Sequence, residues 1–430
     1  MEREAPPCPH RKRQGLYWAL SSSGEKEMEH SPDYDVVIAG GGPAGSTAAY
    51  LLAGFGYRVA LLERQRYPRG KVCGGCLSQK SVRFLDRVFH LPLPALRQEG
   101  LLDSIGNGYA LYIESRRVLA GDLAEPFYFT RRERYDACLA RKAAEAGAEV
   151  HEGVAVTAIN HARRTVMTSD GDRYAARVII GADGIHSRVR RSFPVAAVDP
   201  EEWKRNLGWA MELTIPRREV EALATGDGAI PLCNDLATPH LVLTACRWGY
   251  GWVFPNSEEI VVGIGGLLRK NRKDFPGRFA EFLKAIGLGA FADLKPAGYP
   301  LPFGNYIPAP AHEATLLVGD AGGFASPILG EGIFYAHRTA ELAAHAVDRH
   351  LTTGGPPGET YITLLNRRVI PELEAEAALR NLVYRCLDNR MHLPLMAFMK
   401  ATNSRVIDAI QGSRSFRGFW RDGDLHSAVW

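Results

Sequence analysis

The chain is 430 residues long, 46% apolar and 23% charged, the balance of an ordinary folded protein with room for two or three packed regions. A net charge of +4 is too small to point to nucleic acid, and no unbroken apolar stretch reaches the length of a membrane span. Seven cysteines, odd in number and widely spaced, do not form a secreted disulfide framework; with no signal-peptide core, the expected compartment is the cytoplasm.

Residues 1–30, with RKR, SSSG and EKEMEH, have no apolar period and read as a disordered leader; Met28 is an alternative start. Order begins at Tyr34. Val36–Ala39 is a short apolar run of the kind buried on both faces, and Gly40, Gly42 and Gly45 follow at G-x-G-x-x-G spacing. Ser46–Phe55 reads as a helix and Tyr57–Leu62 as a second strand ending at Glu63, 23 residues after Gly40. Gly40 permits the tight turn, Gly42 the close approach of a pyrophosphate, and Gly45 the packing of helix on strand. The helix N-terminus, which opens at Pro43 and Ala44, leaves backbone N–H groups free for phosphates, and Glu63 offers a carboxylate for a ribose. This unit reads as a dinucleotide site.

The polar, glycine-rich segment RQRYPRGKVCGGCLS leaves the carboxyl end of the second strand, where ligands sit in open α/β sheets. Cys73 and Cys76 form a C-x-x-C, but no second pair or nearby histidines complete a zinc site, and the two glycines between them argue for a loop rather than a dithiol helix. No metal site is expected. Gln79–Phe89 reads as a helix and the runs between Ile105 and Phe129 as strands of a second sheet. A helix over Arg131–Gly147, a strand and a small meander follow, turning at Asp170-Gly171. The strand Arg177–Ile180 then runs into Gly181, Asp183 and Gly184, a second place where backbone meets a phosphate or ribose.

Residues 205–305 change character, with long aromatic-rich strands that suggest a mostly antiparallel sheet. Trp203, Trp209, Trp248, Tyr250, Trp252 and Phe254 are divided between core and an apolar pocket. Phe275–Ile286 is an amphipathic helix. Ala314–Val318 is another buried strand, ending at Gly319-Asp320; Gly330 and Gly332 flank Glu331 where a long helix begins. TTGGPPG at 352–358 breaks that helix from a helical tail. From Arg380 onward the tail holds eight Lys/Arg against four Asp/Glu, and Leu393, Leu395, Met396, Phe398 and Met399 make one side greasy. It reads as a helix over the substrate cavity, with a peripheral membrane contact as the alternative.

Three separated motifs, GGGPAG with Glu63, ADG after Ile180 and GDAGGFASPILGEG, together resemble the FAD-dependent oxidoreductases with the para-hydroxybenzoate hydroxylase-type fold, over roughly residues 33–345. PRGKVCGGCLS (Pro68–Ser78) and YGWVFP (Tyr250–Pro255) resemble the geranylgeranyl reductase branch, with its P-R-x-K-x-C-G-G and Y-x-W-x-F-P motifs. The halogenases of the same fold carry W-x-W-x-I-P there.

The resemblance implies an α/β fold: a Rossmann-like FAD-binding domain over 31–200 and 306–350, including part of the second sheet at about 105–130. A mostly antiparallel substrate domain would be inserted at 201–305, and 351–430 would be a C-terminal helical region. It implies that Gly40, Gly42, Pro43, Ala44 and Gly45 hold the FAD pyrophosphate and that Glu63, beside Arg64, meets the adenosine ribose. Arg132 would lie near the adenine half, Asp183 and Gly184 along the pyrophosphate, Gly319 and Asp320 at the ribityl chain, and Gly330 and Gly332 at the pyrimidine edge. Cys73 and Gly74 would border the flavin's active face, with Tyr250, Trp252 and Phe254 lining the substrate cavity; Cys73, Tyr250 and Trp252 are the catalytic candidates. The expected function is reduction of carbon–carbon double bonds in a hydrophobic isoprenoid-like small molecule, with NAD(P)H or ferredoxin as donor. The alternatives are a monooxygenase or halogenase of an aromatic or polyketide substrate, and a flavoprotein that only passes electrons to a redox partner protein.

Overall fold

In the computed structural model, which describes residues 32–194, 198–223, 235–272 and 274–420, Val36–Ala39 are completely buried. A strand segment with neighbours on both edges and layers on both faces must be apolar, and Val36–Ala39 meet that requirement. The expected leader, Cys8 and Cys233 lie outside the described residues. The strands of the first half are β1 (Tyr34–Ala39), β2 (Val59–Glu63), β3 (Cys76–Leu77), β4 (Ser104–Ile113), β5 (Arg116–Phe129), β6 (Glu149–Glu152), β7 (Val156–Asn160), β8 (Thr165–Thr168) and β9 (Arg173–Gly181). Those of the second half are β10 (Leu207–Pro216), β11 (His240–Val242), β12 (Gly249–Pro255), β13 (Glu259–Leu267), β14 (Ala297–Pro302), β15 (Ala311–His312) and β16 (Thr315–Leu317).

The first sheet runs β15-β16-β9-β1-β2-β6, with β7 and β8 attached through β9. From β16 to β6 neighbouring strands are parallel. Its register aligns Ala39 with Gly181, and Gly181 with Leu317. The loops that follow those three residues therefore emerge side by side from one edge, although the sequence separates them by nearly 280 positions. The helix Pro43–Gly54 packs on this sheet and on the long helix Ile333–Thr353, through Ala44, Ala48 and Leu52 on one side and Ala336, Ala340 and Ala343 on the other. His337 fastens the layer. It is fully buried, with Nδ1 2.7 Å from Thr47 Oγ1 and Nε2 2.7 Å from Tyr135 Oη, and burial lowers its pKa to about 3. A neutral histidine so engaged is structural.

The second sheet runs β14-β10-β13-β12-β11-β4-β5-β3. The runs between 104 and 129 share one sheet with 207–302, joined by parallel pairing of β11 with β4 (His240 opposite Ala110). Three distant segments thus build one surface. One face is sealed by the helix Phe275–Ala285, whose Phe275, Phe279, Phe282 and Leu283 meet Leu213, Ile215, Val262 and Ile264. The C-terminal helix His392–Gln411 lies on the β4–β5 hairpin through Leu395, Ala409, Ile113 and Val118. Met391 and Leu393 remain exposed, at 47% and 75%. No described helix is long and apolar enough to cross a membrane.

Candidate flavin and substrate site

Gly40 has φ +97°, and a Cβ there would sit 2.5 Å from the Ala182 carbonyl oxygen. At Gly45 a Cβ would sit 1.8 Å from the Gly40 carbonyl oxygen. Both positions exclude any side chain, so the turn, the helix and the loop after β9 close on one another. Gly42 caps the helix without a side chain and Pro43 opens it. The first intrahelical bond is Ser46 N–H to Gly42 O, at 2.9 Å, which leaves the N–H groups of Ala44 and Gly45 to face outward. The loop after β16 abuts this helix start: a Cβ on Gly319 would be 3.1 Å from that of Ala44. Gly332 in turn lies against Asp320 Oδ1, 3.4 Å from where its Cβ would be. Asp183 uses Oδ2 to accept the N–H groups of Arg188 (2.6 Å) and Val189 (3.3 Å), while Oδ1 is buried without a partner and burial raises the carboxyl's pKa. Free helix-start donors beside unpartnered carboxylate oxygen suit a pyrophosphate flanked by sugar hydroxyls. The residues present therefore fit FAD.

Glu63 is buried and already engaged. It accepts the N–H groups of Gly41 (2.8 Å) and Gln65 (3.0 Å), and Arg69 Nε lies 3.3 Å from it. Arg64 is exposed. Arg69 also reaches Asp136, at 3.0 Å, and Asp136 takes both nitrogens of a fork from Arg132, at 2.9 and 2.8 Å. Burial opposes the charge on Arg132, but Asp136 and Cys73 outweigh it and its pKa is raised. The structure thus ties the Arg132 pair to Glu63 through Arg69, a link with no local pattern in the sequence.

The second sheet's open face carries the substrate candidates. In β10 the odd positions Trp209, Met211, Leu213 and Ile215 belong to the core, so Ala210 and Glu212 point to the other side. Register puts Trp252, Gly263 and Glu212 in one row and Tyr250, Gly265 and Ala210 in the next. The two glycines leave a lane without side chains, and the Trp252 ring lies across it, 2.3 Å from where a Gly263 Cβ would be and 3.2 Å from that of Gly265. Trp252 Nε1 is buried without a partner, and the Tyr250 hydroxyl donates to the Leu329 carbonyl. The Cys73–Gly74 loop lies on the same face. A Cβ on Gly74 would be 2.9 Å from Phe254 and 3.4 Å from Trp252 Nε1, and the Cys73 N–H donates to Glu212 Oε1 at 2.8 Å.

Glu212 was not singled out from the sequence. The signal was there: a lone acid in the alternating strand WAMELTIP, on the face opposite Met211 and Leu213. Around Gly330–Gly332, the buried Lys80 pairs with Glu331 at 2.6 Å, and Ser78 Oγ donates to the same carboxylate at 2.5 Å. Cys73 and Cys76 are free thiols, and burial followed by Glu331 pushes the Cys76 thiol up.

Behind this loop, Glu376 is fully buried and accepts from the Ser326 and Tyr335 hydroxyls; burial pushes its carboxyl up to about 7. The unfolded chain loses this proton near its ordinary value of 4.5 while the fold keeps it to about 7. The associated stability is complete below the lower value and is lost as pH rises to the upper one. Glu376→Gln is expected to gain about 3 kcal/mol relative to wild type between pH ~4 and pH ~8, read from denaturant unfolding. A gain independent of pH would contradict it.

Residues 33–214 match the FAD binding domain family. A geranylgeranyl diphosphate reductase from Rhodobacter capsulatus is 30% identical over 331 residues, 75% of this chain and 77% of that one. The chain belongs to the geranylgeranyl reductase family. This geranylgeranyl reductase-family protein is an FAD-dependent oxidoreductase with the mixed α/β fold expected. A menaquinone reductase from Mycobacterium tuberculosis is 27% identical over 343 residues, covering 73% of this chain and 76% of that one. The crystal structure of a geranylgeranyl bacteriochlorophyll reductase-like protein from Thermoplasma acidophilum superposes with a TM-score of 0.66 at 20% identity, covering 92% and 93% of the two chains. Solved flavin monooxygenases and halogenases share the fold at lower identity.

Proposed function

We propose that the protein reduces carbon–carbon double bonds in a polyprenyl chain. The observation that carries this reading is the glycine lane on the second sheet, walled by Tyr250, Trp252 and Phe254 and faced by the Cys73–Gly74 loop. With the Trp252 ring swung off it, an apolar floor without side chains would suit a linear hydrocarbon better than a branched or strongly polar guest. Bound FAD in its reduced form supplies hydride; the protein's part is to hold the alkene close, exclude water and provide a proton. The Gly40–Gly45 turn, Asp183 and Asp320 would hold the cofactor, and Trp252, moving off the lane, would make way for substrate. The electrons come from NAD(P)H or a ferredoxin, which comparison of flavin bleaching rates with each donor distinguishes.

The test is anaerobic. Protein reduced with dithionite is mixed with geranylgeranyl diphosphate or with menaquinone, and return of the oxidised flavin spectrum is followed with mass analysis of the product. Recovery of yellow colour with a product gaining two hydrogens per bond supports the reading. No reoxidation until air is admitted, followed by a hydroxylated product from an added aromatic compound, favours the monooxygenase alternative. The exposed Met391 and Leu393, beside Arg390, are the proposed contact with an anionic membrane surface, where such substrates reside. Leu393→Asp is expected to reduce co-sedimentation with phosphatidylserine vesicles severalfold; unchanged sedimentation removes the membrane role.

A further inference from the structure

Adding hydrogen to a double bond needs two deliveries, hydride to one carbon and a proton to the other. Other acidic or protic groups near the site have partners of their own. The Tyr250 hydroxyl donates to the Leu329 carbonyl, and the Cys73 side chain acts electrostatically on the Arg132 guanidinium. Glu331 is paired with Lys80, and His337 is locked between Thr47 and Tyr135. One acid on the open face of the second sheet is differently placed. Glu212 sits in the row of Trp252 and Gly263, at the edge of the lane, and keeps 8% of its surface open. Its Oε1 takes the Cys73 N–H, so the carboxyl is held at the loop that borders the proposed reaction site, with its other oxygen unpartnered by any described residue.

We propose that Glu212 is the proton donor of this reaction. The proposal rests on the reductase reading above. Bound reduced FAD would supply a hydride, with its electron pair, to one alkene carbon as the π bond breaks. The O–H bond of Glu212 breaks as a new C–H bond forms at the other carbon. Glu212 is left as a carboxylate, reprotonated from solvent before the next turnover, and the two electrons taken up by the alkene would have come from the bound reduced FAD.

The surroundings keep that proton available at neutral pH. Burial pushes the Glu212 carboxyl up to about 7, against the opposing influence of the Cys73 N–H and the Lys71 ammonium. Its cross-strand neighbours Gly263 and Ala297 carry no titratable group, and among the described residues the Lys71 ammonium is the ionisable group that bears on it. A donor whose pKa lies near the working pH combines occupancy with driving force.

Glu212→Gln retains an oxygen for the Cys73 N–H and removes only the acidic proton. In the anaerobic mixing experiment with geranylgeranyl diphosphate, it is expected to slow flavin reoxidation by about 100-fold or more, with dithionite reduction and the FAD spectrum unchanged. Glu212→Asp is expected to recover part of the rate. The wild-type rate should fall as pH rises through about 7, and that fall should be missing from the residual rate of Glu212→Gln. Infrared difference spectra should show protonated carboxyl bands from Glu212 and Glu376 at pH ~6 that are lost by pH ~9, and only the Glu212 band should be absent from Glu212→Gln. A Glu212→Gln rate within about threefold of wild type overturns the assignment, and so does a wild-type rate flat across that range, which needs no variant. If wild-type flavin is reoxidised by neither polyprenyl probe, the reductase reading fails and Glu212 falls with it; if only the variant result fails, the reductase reading stands.

Discussion

Gly45→Ala is expected to weaken FAD binding by about 100-fold, near 2.7 kcal/mol, while leaving the far-ultraviolet circular dichroism of the protein intact. The added methyl would meet the Gly40 carbonyl oxygen at 1.8 Å, and the obstacle is backbone rather than the end of a flexible side chain. The helix start must therefore move away from the turn, carrying the Ala44 and Gly45 N–H groups with it. An affinity is the right readout because the displaced groups are donors to phosphate, whereas the helix keeps its packing through Ala48 and Leu52. Titration of the variant with FAD, followed by flavin fluorescence quenching, measures it. Unaltered affinity would mean that the pyrophosphate is not held at this turn.

The second large effect is expected at Asp136, which is fully buried and balances two guanidinium groups, those of Arg132 and Arg69. Asp136→Asn preserves shape and removes the charge. It leaves Arg132 without a carboxylate partner and Arg69 with Glu63 alone. Breaking a buried pair by deleting one partner costs about 3–5 kcal/mol, since the remaining charge is neither solvated nor compensated. Denaturant unfolding of the FAD-loaded protein should show a loss of that size at neutral pH. A loss under ~1 kcal/mol would show that water reaches these arginines.

The parts of the site legible in the sequence are those whose chemistry is local. Gly40, Gly42 and Gly45 mark a strand–turn–helix within six residues, and the helix expected over Gln79–Phe89 is observed with those bounds. Glu63 follows from the length of one helix and one strand. What could not be read depends on pairing between distant segments. The placement of 104–129 beside 207–302 rests on the register of β4 with β11, which no period within either stretch encodes. Arg69 was only part of a family motif until the fold set it between Glu63 and Asp136, 67 positions further on. Glu212 lies between the two cases. Alternation in its strand separates it from the core, but its partner, the Cys73 N–H, is 139 residues away.

The Cys73–Gly75 loop leaves the first sheet covalently and is stitched to the second. Thr130 N–H reaches Gly75 O at 2.9 Å, Cys76 pairs with Phe129, and Cys73 N–H binds Glu212. A rocking of one sheet against the other would therefore carry the loop along with Trp252 and Glu212, while Gly40–Gly45 stayed behind with β1. Tyr67 and Arg69 are tied to Gly41, Glu152 and Glu63 of the first sheet, so the hinge for such a displacement falls in Gly70–Val72, and a pair of spectroscopic labels flanking it would record opening and closing.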